Sequence, residues 1–161
     1  MNEVSNPANL APGKIDSIDK LVEIGKERFF STSTVGHVVE PAIPGADLYF
    51  KSALELMRQR GIQNPQMEFN IELRLGSYLG FMKKYDEAVP HFERCVELEP
   101  QNIRARRALA WAYRDVGRSA ESAGEYRKVA ELSSPISLSR YLNFARAAIV
   151  KYNGISDRRA A

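Results

Sequence analysis

Part of this chain repeats itself. Laid over itself at a constant offset of 34, the sequence brings Leu75, Gly76, Glu87, Ala88, Phe92, Cys95 and Leu98 onto Leu109, Ala110, Glu121, Ser122, Tyr126, Val129 and Leu132. A fixed period of that length belongs to stacked supersecondary units, each leaving one apolar face uncovered until a neighbour buries it. The residue types say which unit. Gly76 and Ala110 are small enough to let two helices approach closely, and Ala88 and Ser122 are small on the opposing helix. Phe92 and Tyr126 fill the space between helices, and Leu75, Leu79, Leu109 and Tyr113 complete apolar stripes at helical spacing.

With Leu75-Gly76, Tyr85-Asp86-Glu87-Ala88, Phe92 and Leu98-Glu99-Pro100 at their places, residues 69–102 resemble a repeat of the tetratricopeptide family. Residues 103–136 keep Leu109-Ala110, Tyr113, Gly117, Ser122 and Tyr126, with Pro135 one residue after the family's closing proline position. The resemblance implies an all-α fold, a right-handed superhelical stack of about three helical hairpins, and a role as a protein-interaction module.

A third unit is expected upstream. Ala46, Phe50, Ala53, Leu54 and Leu56 match Ala88, Phe92, Cys95, Val96 and Leu98 at a uniform offset of 42. Its partner would be the amphipathic segment Ile15, Ile18, Leu21, Val22, Ile24 and Phe29, which lacks the family's spacing, so this hairpin is degenerate. The expected helical domain runs over 15–153. It comprises the degenerate hairpin 15–64 with a long loop at 31–44, repeats at 65–102 and 103–135, and a capping helix at 136–152. That helix is carried by Leu138, Tyr141, Leu142, Ala145, Ile149 and Tyr152 and ended by Asn153-Gly154. Residues 1–14 and 154–161 are expected to be flexible tails. Asn64-Pro65 and Ser134-Pro135 read as helix N-caps followed by proline, and Asp86 and Ser119 as caps of second helices. Pro90, four residues beyond Asp86, is expected to be tolerated.

Composition narrows the function. No stretch reaches the roughly 18 apolar residues of a membrane span, and the opening residues have neither the basic start nor the apolar core of a secretory signal. A cytoplasmic protein without membrane insertion is expected. A lone Cys95 with His37 and His91 offers no zinc spacing and no internal disulfide, and a net charge of +3 does not by itself point to nucleic acid. His91 and Glu87 lie one turn apart, but no nucleophile or second base accompanies them. No cofactor, metal or catalytic site is expected, and the chain is not read as an enzyme.

The sharpest functional signal is Arg104, Arg107, Trp111 and Arg114, spaced to share one helix face opposite Ala105, Ala108, Leu109, Ala112 and Val116. Arginine offers planar paired donors to carboxylates and tryptophan a large rigid contact, the two types enriched where binding energy concentrates. From Gln101 to Lys128 seven cations face three acids, a net +4. The family resemblance makes this the concave side of the stack, with Asn70, Leu73, Ser77 and Phe81 as the neighbouring groove segment. It also sets apart the lysine-based carboxylate clamp some relatives use for chaperone C-termini, since that lysine is missing here. The expected partner is a protein segment that is acidic and amphipathic, held by an adaptor, scaffold or chaperone-like module. The alternative is a structural or assembly subunit, homo- or hetero-oligomeric.

Overall fold

Three of the described helices end in the same hydrogen-bonded turn, and that turn sets where the next helix can start. At each, a residue with positive φ lets the following N–H reach back to a carbonyl of the last helical turn. Ile62 N–H donates to Met57 O at 2.9 Å, Lys84 N–H to Leu79 O at 2.9 Å, and Arg118 N–H to Tyr113 O at 2.8 Å. The left-handed residues are Gly61 (φ 62), Lys83 (φ 60) and Gly117 (φ 85).

The computed structural model describes residues 11–30, 45–133 and 141–150. A short 3-10 turn, Pro12–Lys14, precedes α1 (Ile18–Phe30), α2 (Ala46–Gln59), α3 (Pro65–Phe81), α4 (Tyr85–Leu98), α5 (Ile103–Asp115) and α6 (Ser119–Leu132). Residues 141–150 form a further helix, α7. The described residues are all-α, without a strand, and adjacent helices pack in pairs: α1 on α2, α4 on α5 and α5 on α6. The expected loop at 31–44, the Ser134–Pro135 cap and the stop at Asn153-Gly154 lie outside the described residues, as do most of both tails. Packing divides the chain into two compact units, Met1–Tyr78 and Leu79–Ala161, so the division falls inside α3.

In the first unit, α1 buries Ile18, Leu21 and Ile24 against Ala46, Tyr49, Phe50, Ala53 and Met57 of α2. The approach is close because Gly25 has no side chain: a Cβ there would come within 2.8 Å of the Phe50 ring. Gly25 and Ala46 thus play the parts of the small residues of the later repeats. Tyr78 closes this unit, meeting Phe29 edge-on at 5.6 Å and accepting a hydrogen bond from Gly45 N–H at 3.1 Å. Asn64 caps α3 as its sequence suggests, accepting from Met67 N–H at 3.0 Å.

In the second unit, Ser122 Oγ donates to the Ala110 carbonyl at 2.7 Å, a bond only two closely approaching helices allow. Ala110, Ala123, Tyr126, Ala145 and Ala148 form one apolar cluster, so α7 covers α5 and α6 where a capping helix was expected. Two assigned caps are corrected. α4 begins after Lys84 and α6 after Arg118, neither of which caps with its side chain, while Asp86 and Ser119 already sit inside the first turn. The physical reason is the left-handed turn: it delivers the chain straight into the next helix and leaves no extended residue for a capping side chain. Pro90 lies inside α4 and does not break it.

Candidate functional site

Helix α5 positions the predicted face, and its start is fixed by a cap the sequence reading did not single out. Asn102 Oδ1 accepts from Arg104 N–H at 3.0 Å and Ala105 N–H at 3.1 Å, while its amide donates to Glu99 at 2.6 Å. A Pro-Gln-Asn run before an apolar stripe is the signal that could have found it. Ala105, Leu109 and Ala112 are buried, and Ala108 and Val116 are half-buried, so the core side of α5 is the expected one.

On the other side the four predicted residues diverge. Arg104 and Arg107 are exposed, and their side chains make no ion pair or hydrogen bond among the described residues. Arg114 is half-exposed and already engaged, its Nε donating to Asp115 at 3.0 Å; that bond, opposed by partial burial, holds its pKa above the ordinary arginine range. Trp111 is half-buried. Its indole lies over Gly80, where a Cβ would meet the ring at 2.5 Å, and Tyr85 packs edge-on against it at 5.3 Å. On the α6 side Tyr126 feels the charge of both Arg107 and Arg114, but burial is the stronger influence and raises its pKa.

Four of the seven cations of the stretch from Gln101 to Lys128 are paired within the unit. Arg106 and Glu125 form a nearly buried pair at 2.7 Å, Lys128 also reaches Glu125 at 2.8 Å, and Arg118 donates to Glu121 at 2.9 Å. That last bond is the main reason the Glu121 carboxyl sits below its ordinary pKa. Arg118 also lies over the Tyr113 ring at 4.2 Å, and the Tyr113 hydroxyl donates to Glu93 at 2.7 Å. Of the seven cations, Arg104, Arg107 and Arg127 are left without an ion pair among the described residues, and two of these three sit one turn apart on the predicted face.

The remaining predicted residues separate. Phe81 belongs to the second unit and is 47% exposed. Asn70, Leu73 and Ser77 belong to the first. Asn70 is exposed and lines a groove of about 420 Å³ between α1 and α3, shared with Lys26 and Arg74. Ser77 is half-buried and spends its hydroxyl on the Leu73 carbonyl at 2.6 Å. Leu73, expected on the groove, is 5% exposed and packs in the core. Lys26 was outside the predicted set because it sits on the helix whose spacing departs from the repeat.

Residues 73–102 match the family model described as Tetratricopeptide repeat. The match covers one repeat of the chain and supports a protein of tetratricopeptide type. A repeat of this type points to a protein–protein interaction module. No curated protein and no solved structure matches the chain. No helix among the described residues is long and apolar enough to cross a membrane, and no group of three or more His, Cys, Asp or Glu among them could hold a metal ion. Cys95 is buried.

Proposed function

We propose that this protein is an adaptor, scaffold or chaperone-like module whose α5 face holds an acidic, amphipathic segment of a partner protein. The observation that carries the reading is the pair Arg104 and Arg107: two exposed guanidinium groups on adjacent turns of one helix, unpaired among the described residues beside Trp111, in a unit that neutralises most of its other cations. Exposed arginines without partners keep their donors available to carboxylates, and a half-buried indole adds apolar contact without having to be ordered first. Trp111 is also the single tryptophan. Its emission therefore reports both the integrity of the second unit and the arrival of a ligand.

Titration with an acidic amphipathic peptide is expected to change that emission saturably, with affinity falling as salt is added. Arg107→Glu, on an exposed site, should leave the helical melting profile in place and weaken binding by about tenfold or more, since each tenfold corresponds to about 1.4 kcal/mol. Unchanged affinity in that variant would retire the α5 face as the binding surface.

A second reading, a structural subunit of a larger assembly, draws on the exposed Leu142, Phe144 and Val150 of α7. Light scattering across a concentration series tests its self-assembling form, which a uniform monomer mass removes.

A further inference from the structure

Helix α3 closes on a residue that is the wrong type for its backbone. At the corresponding turns after α2 and α5 the left-handed residue is glycine, Gly61 and Gly117; after α3 it is Lys83, at φ 60. Gly117 holds the place of Lys83 in the next repeat, by the same offset that carries Leu75 onto Leu109, and its turn makes the same backbone hydrogen bonds. A side chain in this region of φ meets its own backbone, so lysine costs stability where glycine would not. Nothing in the described contacts offsets that cost: the Lys83 side chain is exposed and makes no ion pair or hydrogen bond among the described residues. Its neighbours are equally unusual for a turn. Phe81 is 47% exposed and Met82 36%, and they stand side by side before Lys83 and Lys84.

We propose that the turn Phe81–Lys84 is a recognition surface for the bulky apolar residue of the acidic segment held on α5, with Lys83 pairing to an acid beside that residue. The proposal rests on the α5 reading and extends it. The link between the two surfaces is Trp111: its ring covers Gly80, the residue before Phe81, and Tyr85, the residue after Lys84, braces it edge-on. The proposed strip runs within the second unit from the cationic start of α5 through the indole to the apolar end of α3. Lys84 is engaged by Glu87 at 3.4 Å, which leaves Lys83 as the cation available to a ligand. The occupant this strip fits is an acidic segment with a large apolar side chain, and charge and apolar area must both be met by the same ligand.

Two short synthetic peptides of identical acidic pattern separate the two claims, one with leucine and phenylalanine between the acids and the other with serine there. The full chain is titrated with each while Trp111 emission is followed. Wild type is expected to favour the apolar peptide by about tenfold. F81S/M82S, which changes only exposed side chains, should erase that preference while still binding the serine peptide as wild type does. Lys83→Gly should raise the melting temperature and weaken both peptides several-fold. Arg107→Glu should weaken both as well, which tests the α5 reading separately. If F81S/M82S keeps the preference, or loses both peptides equally, the turn is not the apolar anchor even where Arg107→Glu behaves as expected. Lys83→Gly with unchanged binding removes the lysine's role. Failure of either peptide to bind wild type, or a turn that engages anionic phosphatidylserine vesicles and not peptide, overturns the proposal outright.

Discussion

Two glycines, one in each unit, occupy places where a methyl group does not fit, and they serve opposite ends. A Cβ on Gly25 of α1 would come within 2.8 Å of the Phe50 ring, and Phe50 is fully buried. A Cβ on Gly80 of α3 would come within 2.5 Å of the Trp111 ring, and Trp111 is only half-buried. The first contact has protein on every side, so neither partner can give way. The second has solvent on one side, so the indole can move. The same absence of a side chain builds a core in one unit and shapes a surface in the other.

The largest effect should come from breaking the first contact. Gly25→Ala is expected to destabilise the protein by about 1–3 kcal/mol, the usual cost of overpacking a core that cannot relax. Thermal unfolding followed by circular dichroism measures it. Adding Phe50→Leu should recover part of the loss, since the smaller side chain makes room for the new methyl, and a double-mutant cycle would show the coupling. Additive losses would mean that Phe50 is not what the methyl meets.

Breaking the second contact should cost far less stability and change more at the surface. In Gly80→Ala the steric cost is offset by the better helix propensity of alanine, so the net change is expected within about 1 kcal/mol. Trp111 should leave its place, giving a red-shifted emission and easier quenching by iodide. A variant with wild-type emission would show that the indole does not depend on Gly80, and the proposed strip from α5 to the α3 turn would lose its link.

These two contacts also mark how far the sequence could be read. The repeat located α3 to α6, because Gly76 with Ala88 and Ala110 with Ser122 keep one and the same separation along the chain. In the first hairpin the close approach is that of Gly25 to Phe50, and the inserted stretch between the helices hides a match that Ile24-Gly25 otherwise makes to Leu75-Gly76. Packing keeps a close approach while the spacing loses it. The site was legible in part for a related reason. Helical periodicity put Arg104, Arg107, Trp111 and Arg114 on one face of α5, but a face is not an environment. Whether Trp111 stands in solvent depends on Gly80, and whether Arg114 is available depends on Asp115 beside it. Leu73 shows the converse, a residue at a groove position of the pattern that the surrounding core absorbs. Lys83 was not singled out, because nothing in a lysine announces a positive φ; only Gly117, at the matching place of the next repeat, does.

Each unit sets an arginine over a tyrosine ring, Arg28 over Tyr49 at 5.1 Å in the first and Arg118 over Tyr113 at 4.2 Å in the second, and the second gives the smallest and most specific test. Beside its apolar contacts, the α4–α5 pair is fastened by Tyr113, which donates to Glu93 while Arg118 covers its ring. Burial first, and then the hydrogen bond to the Glu93 carboxylate, push the Tyr113 hydroxyl well above its ordinary value of 10.0. Because the folded state holds this proton more tightly than the unfolded chain, the contribution is fully present below about pH 10 and is lost as pH rises beyond it. Stability should therefore fall on the alkaline side, and Trp111 emission during denaturant unfolding reports it from the same unit. Tyr113→Phe removes the titrating group and should flatten that part of the pH profile while leaving the neutral helix content in place. An alkaline slope that persists unchanged in Tyr113→Phe would show that another group supplies it, and that the Glu93–Tyr113 bond is not what ties the stability of this unit to pH.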